Sequence, residues 1–301
     1  LLIACCSPAD AGGVTPFAEV LIWQPSAETS TVWSSVVNAN TFEAADLDFG
    51  WNAGFRAGLN MQPAEALWDF NLSVTHFATS QAANVPEGGH LVLPEFFSGF
   101  VSGDGFAFTS AELDWSLNYT NFDLEAGHRI AVAESLEIRP AFGLRAAVIN
   151  QTIDSRWADS LLGLTAVEQV QHDFFGIGPS AGLGARWTPV EHFSLVGECS
   201  GALMYGVWNV RDDFRRTDGG APILSYEAFS TSMNDSTLGT VMIRSFVGFE
   251  WKIPSRFEIV ARMGYEVQWW ANQQRLLTFQ QLPMHGDLTF QGGTCGVVVC
   301  F

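Results

Sequence analysis

Several residues in this chain are of types that do chemistry. Six histidines are scattered along it, at His76, His90, His128, His172, His192 and His285. His172 is followed by Asp173, and a histidine beside a carboxylate can orient a water as a general base. If the pair lies on a strand, however, the two side chains point to opposite faces. Asp212-Asp213 offers oxygens to a divalent cation, but the ligand spacing of a calcium loop is missing. Serine-hydrolase, phosphate-loop and zinc spacings are missing as well. Gly176-x-Gly178 reads as close strand packing rather than a nucleotide loop. No catalytic residue, metal ligand or cofactor is therefore expected, and the chain is not expected to be an enzyme.

The larger chemical group is a set of charges recurring at alternate positions. Arg56, Arg139, Arg145, Arg186, Arg244 and Arg262, with Arg129 near a turn, share faces with Asp69, Glu112, Asp114, Asp123, Glu125, Glu137, Glu198, Glu250, Glu258 and Glu266. Bulky apolar residues hold the opposite faces. Trp51, Phe55, Leu59 and Met61 alternate with Asn52, Arg56, Gly58 and Asn60. Phe257, Ile259, Met263, Tyr265, Val267 and Trp269 alternate with Glu258, Arg262, Gly264, Glu266 and Gln268. A period of two is the signature of a β-strand. The same reading gives strands near 15–25, 51–61, 68–75, 113–119, 136–146, 175–187, 193–205, 241–251, 257–269 and 295–301.

Composition narrows the class. The chain has 301 residues, of which 48% are hydrophobic, 13% aromatic and only 15% charged. Its 14 Lys plus Arg against 32 Asp plus Glu leave a net charge of −18. Apolar content this high excludes disorder. The sign of the charge and the lack of a basic tract exclude nucleic acid as a partner. A helical membrane protein needs runs of roughly 20 apolar residues, and polar residues or glycines interrupt every run here. What remains is a chain whose apolar residues are spread by alternation. A transmembrane β-barrel does this, with apolar residues toward lipid, polar residues toward the lumen and aromatic girdles at the interfaces.

Connection lengths agree. Short turns fall near 62–66, 132–135, 189–192 and 253–256, and long outer loops are expected near 26–46, 80–106, 153–168, 211–238 and 273–285. The sequence thus predicts an all-β, antiparallel, up-and-down transmembrane barrel over 15–301, with ten strands and both termini on the short-turn side. The segments 30–43 and 222–233 leave two options open: extra strand pairs that raise the count to twelve, or strand extensions above the membrane. Phe301 ends the last strand as the terminal aromatic that serves as an outer-membrane assembly signal.

The residues 49–59 (Phe-Gly-Trp-Asn-Ala-Gly-Phe-Arg-Ala-Gly-Leu), 68–77, 139–147, 173–179 and 264–270 carry a further signal. With this spacing over nearly the whole chain, the sequence resembles the Legionella-type major outer membrane protein family of pore-forming barrels. The resemblance implies a bacterial outer-membrane location and a pore, often abundant and often a homo-oligomer. The implied partners are outer-membrane lipid and the barrel assembly machinery.

The expected function is passive diffusion of small polar solutes or ions. The alternative is a structural or adhesive surface barrel, in an oligomer or array, whose lumen is largely blocked. The lumen is expected to be lined by Arg56, Glu112, Asp114, Glu137, Arg139, Arg145, Arg186, Glu198, Arg244, Glu250, Glu258, Arg262 and Glu266. Ten strands leave little interior space, so arginine–carboxylate pairs are expected to fill part of it. Surplus acid in the outer loops would then give the mouth a mild cation preference. Five cysteines occur, at Cys5, Cys6, Cys199, Cys295 and Cys300. Residues 1–14 fit a signal-peptide remnant, a lipoprotein box or a periplasmic contact in which Cys5 and Cys6 form disulfides between subunits.

Overall fold

The computed structural model describes residues 13–27, 32–38, 41–63, 67–94, 108–217, 228–254, 258–278 and 281–300. Cys5, Cys6 and Phe301 lie outside them. The strands are β1 (Gly13–Ala27), β2 (Val32–Asn38), β3 (Thr41–Asp46), β4 (Asn52–Gln62), β5 (Trp68–Val85), β6 (Leu91–Pro94) and β7 (Ser110–His128). They continue with β8 (Ile130–Ala133), β9 (Leu136–Asp159), β10 (Leu164–Val190), β11 (Phe193–Thr217), β12 (Ala228–Ile253), β13 (Glu258–Thr278) and β14 (Gln281–Cys300).

Ten of these close into an antiparallel barrel, in the order β1-β4-β5-β7-β9-β10-β11-β12-β13-β14, with β14 returning to pair with β1. These ten are the strands that alternation predicts. The short β8 lies beside the start of β9. The segment within 30–43 neither enters the barrel nor extends β1. It forms β2 and β3, which join β6 in a separate three-stranded sheet. The segments 153–168 and 211–217 are not loops but wall, because β9, β10 and β11 run on far past the membrane. Only Ser160–Gly163 separates β9 from β10.

The wall spans two solvents, and β7 shows the consequence. Its odd-numbered residues face inward from end to end, with no slip against β5 or β9. Near the periplasmic end the inward residues are Asn121, Asp123 and Glu125, while Phe122 and Leu124 face outward. Above Tyr119 the polarity reverses. Leu113, Trp115, Leu117 and Tyr119 are buried inside, and Glu112, Asp114, Ser116 and Asn118 face outward. The same reversal occurs on β5 between Thr75 and Phe77, and on β9 between Arg145 and Ile149. The cause is the medium outside. Against lipid the outer face must be apolar. Above the lipid the outer face meets water, and the interior becomes an ordinary apolar core.

Glu112 and Asp114 therefore do not line the lumen; they face solvent outside the wall. The lipid belt is bounded by outward residues. On β10 it runs from Trp187 through Leu183 and Ile177 to Phe175, and Asp173 marks its upper limit. Cys199 and Cys295 face outward within the belt, on strands that are not neighbours.

A lipid-facing charge and a charge just above the belt should have very different effects. Leu124→Lys is expected to cost about 2–4 kcal/mol. Asp114→Lys, on the same face of the same strand, should stay within about 0.5 kcal/mol. Urea titration of the barrel in phospholipid vesicles measures both.

Candidate functional site: the barrel interior

The inward polar residues of the belt form one layer of ion pairs. Glu266 on β13 is its hub. It accepts from Arg56 Nη2 at 2.7 Å, from Arg244 Nε at 2.9 Å and from Gln268 Nε2 at 2.7 Å. Arg56 sits on β4, 210 positions away in sequence, and also donates to Glu19 on β1 at 2.7 Å and to Thr75 on β5 at 2.9 Å. Glu198 on β11 pairs with Arg262 at 2.8 Å and lies 3.9 Å from Arg244. Arg186 on β10 pairs with Glu250 on β12 at 2.7 Å. Arg262 also lies over the Phe246 ring at 4.0 Å, where a guanidinium is attracted by the π face.

A second cluster stands closer to the periplasm. Asp69 on β5 receives Arg139 and also Arg129, the latter at 3.0 Å. Glu125 lies 3.9 Å from Arg139, and Glu137 at the rim lies 3.9 Å from Arg129. At Gly127 the Arg139 guanidinium occupies the space a Cβ would take, so a larger residue there needs that side chain to shift. Arg145 pairs with Asp123 and reaches Ser200 at 3.4 Å. Glu258 opens β13 at the periplasmic end; its side chain is outside the described residues.

Together, seven arginines meet eight carboxylates in this layer. The lumen is therefore near neutral, and almost all of the −18 resides elsewhere. Arg139, Arg145 and Glu266 are 0% exposed, and Arg56, Glu198, Arg244, Glu250 and Arg262 are below 8%. Among the described residues, these groups present almost none of their surface to solvent.

An aromatic layer closes the interior above the ion pairs. Tyr119 stacks on Phe290 at 4.7 Å and meets Trp270 edge-on at 5.8 Å. Trp23 packs on Phe77 and Phe290 at 5.8 and 5.9 Å, and Phe174 on Trp208 at 4.8 Å. The Tyr119 hydroxyl donates to Gln268 at 2.8 Å, which ties the two layers together. Higher still, Phe49 packs on Trp115 at 5.3 Å. Trp33 of β2, Val92 of β6, Leu47 and Phe108 complete this apolar roof, all buried.

Between the aromatic layer and the outer end lies a small set of polar residues. Glu168 on β10 is fully buried against Asp212 on β11. Burial, then the charge of Asp212, push the Glu168 carboxyl well above the usual carboxylate range. Burial, then the Arg275 guanidinium, lower His172 to about 4. His172 Nε2 accepts from the backbone N–H of Arg275 at 3.2 Å, which fixes a neutral ring. Asp173, its neighbour in sequence, faces outward, so the two do not form a pair.

Of the arginines and carboxylates expected in the lumen, the structure brings together all those described except Glu112 and Asp114. Glu19 belongs to the same layer and was not foreseen, because its strand alternates weakly in sequence. Glu168 and Asp212 gave no signal that sequence could carry, since their meeting depends on the register of β10 against β11.

The model of the Legionella pneumophila major outer membrane protein precursor matches residues 8–301. The chain belongs to that family. It is a bacterial outer-membrane β-barrel. The chain is similar to the outer membrane protease OmpT of Escherichia coli at 11% identity, with a TM-score of 0.52, covering 98% of this chain and 100% of that one. That likeness is one of fold. The toluene transporter TodX of P. putida aligns at 8% identity with a TM-score of 0.31, covering 97% and 90%. No curated protein sequence matches the chain.

Two outcomes follow for this family member. Glu266→Ala strands two buried guanidinium groups and should cost about 3–5 kcal/mol in urea unfolding. The raised carboxyl of Glu168 stabilises the fold most below the ordinary carboxylate range, and that contribution falls as pH rises. His172 opposes it, because a lowered base loses stability as pH falls from its ordinary value toward about 4. Glu168→Gln should remove the loss seen on raising pH from about 5 to about 8, measured as the thermal midpoint in detergent.

Proposed function

We propose that the chain is a structural or adhesive surface barrel, anchored in the outer membrane and sealed in its resting state. The observation that carries this reading is the complete burial of Arg139, Arg145 and Glu266 in a lumen-wide layer of compensated charge. Passive diffusion of small polar solutes or ions, with a cation-selective mouth, requires a hydrated lumen and is the weaker reading. In a ten-stranded barrel the interior is narrow enough for side chains to fill it. The aromatic layer and the roof over it add two further closures.

The wall above the belt supports a role at the cell surface. It carries a separate sheet at the outer end, and the β9–β10 turn presents Leu161 and Leu162 to solvent at 88% and 63% exposure. The reading assigns no chemistry to the chain. Its partners are outer-membrane lipid, the assembly machinery that inserts the barrel, and further copies of the chain.

Reconstitution into planar bilayers tests it. Folded protein should give no current steps at moderate voltage. Regular steps of one size from the folded wild type would overturn the reading in favour of diffusion through the lumen.

A further inference from the structure

On the outer face of the wall, above the lipid belt, three neighbouring strands present a small grid of side chains. Ser80 of β5, Ser116 of β7 and Thr152 of β9 are direct cross-strand partners in one row. Ala82, Asp114 and Asp154 are partners in the row above it. All six point outward, because they alternate with residues such as Trp115, Leu117 and Ile153 that are buried inside. Thr152 and Asp154 lie opposite Gln171 and Gln169 of β10. Asp173 marks the upper limit of the lipid on that strand, so the grid stands roughly 5–10 Å above the boundary.

The grid is hollow. These six residues form most of the lining of a cavity of 410 Å³, a size ordinary for small-molecule sites. Small side chains at Ser80, Ala82 and Ser116 leave the room. Two rows along the strands and three strands across give a footprint of about 7 by 10 Å. The cavity opens to the layer around the barrel and not to the lumen, since the side chains that line it point outward.

Charge and hydrogen bonding define what fits. Asp114 and Asp154 face each other directly, and like charges so placed repel. One row higher, Glu112 faces Arg156, and opposite charges meet. One row lower, only hydroxyls face each other. Gln169 Nε2 donates to Asp154 Oδ1 at 2.7 Å, but an amide removes no charge. Asp114 has no hydrogen-bond or ion-pair partner among the described residues. A primary ammonium between the two carboxylates cancels the repulsion and donates to both in charge-assisted bonds. The hydroxyls of Ser80, Ser116 and Thr152 each donate and accept, which suits a hydroxylated body beside that ammonium.

We propose that this cavity binds a protonated amino sugar, with its ammonium between Asp114 and Asp154 and its ring hydroxyls on Ser80, Ser116 and Thr152. The height of the cavity puts it in reach of saccharide head groups in the surrounding outer leaflet and of dissolved sugar alike, and the chemistry recognised is the same. The site lies outside the wall, so it stands or falls separately from the sealed-barrel reading.

Titration of the full-length folded barrel with glucosamine in detergent, followed by nuclear magnetic resonance of the backbone amides, tests this. At about pH 6 the carboxylates are ionised and the amine is protonated. Saturable shifts are expected at the amides of Ser80–Ala82, Asp114–Ser116 and Thr152–Asp154. N-acetylglucosamine, the same ring without the charge, should bind at least about tenfold more weakly. Glucosamine should lose about tenfold in Asp114→Asn, or in Asp154→Asn should the first variant not fold. Asp173→Asn, an outward acid below the grid, should bind as the wild type does. Repeating the titration in vesicles that contain lipopolysaccharide assigns the source. A seated head group blocks glucosamine, whereas a site filled from solution still takes it, and either result upholds the site. No saturable shift, equal affinity for the two sugars, or wild-type affinity in the Asp114 variant would overturn the proposal. An equal loss in Asp173→Asn would mean diffuse attraction to an acidic wall and would overturn it too. So would displacement of glucosamine by an equal concentration of calcium, which would make the aspartate pair a metal site.

Discussion

A guanidinium carried across a bilayer inside a narrow barrel has no solvent to fall back on. Lipid lies outside the wall, the charged side chains within it are almost wholly buried, and carboxylates from other strands compensate them. The layer centred on Glu266, Asp69 and Asp123 meets that demand. Some of these guanidinium groups join strands that sequence places far apart, as Arg56 does with Glu266; others, such as Arg145 with Asp123, join neighbours. Buried pairs of this kind are a weak source of net stability, because desolvation offsets much of the attraction. Their effect is on uniqueness: removing one partner is costly, so the pairs fix how the strands close upon one another.

The rest of the architecture follows from where that layer ends. Along β7, the inward face is polar and the outward face apolar below Tyr119, and the two exchange above it. On β7 one strand parity serves both halves, and only the hydrophobic phase changes. The aromatic layer of Trp23, Phe77, Tyr119, Trp270 and Phe290 sits at the change of phase, where the ion pairs give way to an ordinary core. The net negative charge of the chain lies almost entirely outside the ion-pair layer, where arginines balance the carboxylates.

Much of this was legible in the sequence. A period of two located all ten wall strands, and alternating arginines and carboxylates located most of the lumen layer. Reading one hydrophobic phase along an entire strand misplaced Glu112 and Asp114, because it assumed a single medium outside the wall. Glu19 escaped notice because Val20 and Ile22 alternate with Leu21 and Trp23, so both faces of β1 look apolar. The polar groups of the upper chamber escaped for a different reason. His172 and Arg275 are brought together by an inward turn of β13, and no local pattern announces a strand that leaves its sheet. Two of the segments expected as long loops, 153–168 and the described part of 211–238, are mainly wall, and their outward faces are polar for the same reason that loops are.

The central claim is that the lumen is dry and sealed by compensated charge. Side-chain hydrogen exchange of the arginine Nε–H groups, followed by nuclear magnetic resonance after transfer of the folded barrel into deuterated buffer, tests it most directly. The Nε–H signals of Arg56, Arg139, Arg145 and Arg244 should persist long after those of the exposed Arg211 have vanished. Loss of all of them together, at the rate of Arg211, would mean that water reaches the ion pairs and would contradict the account.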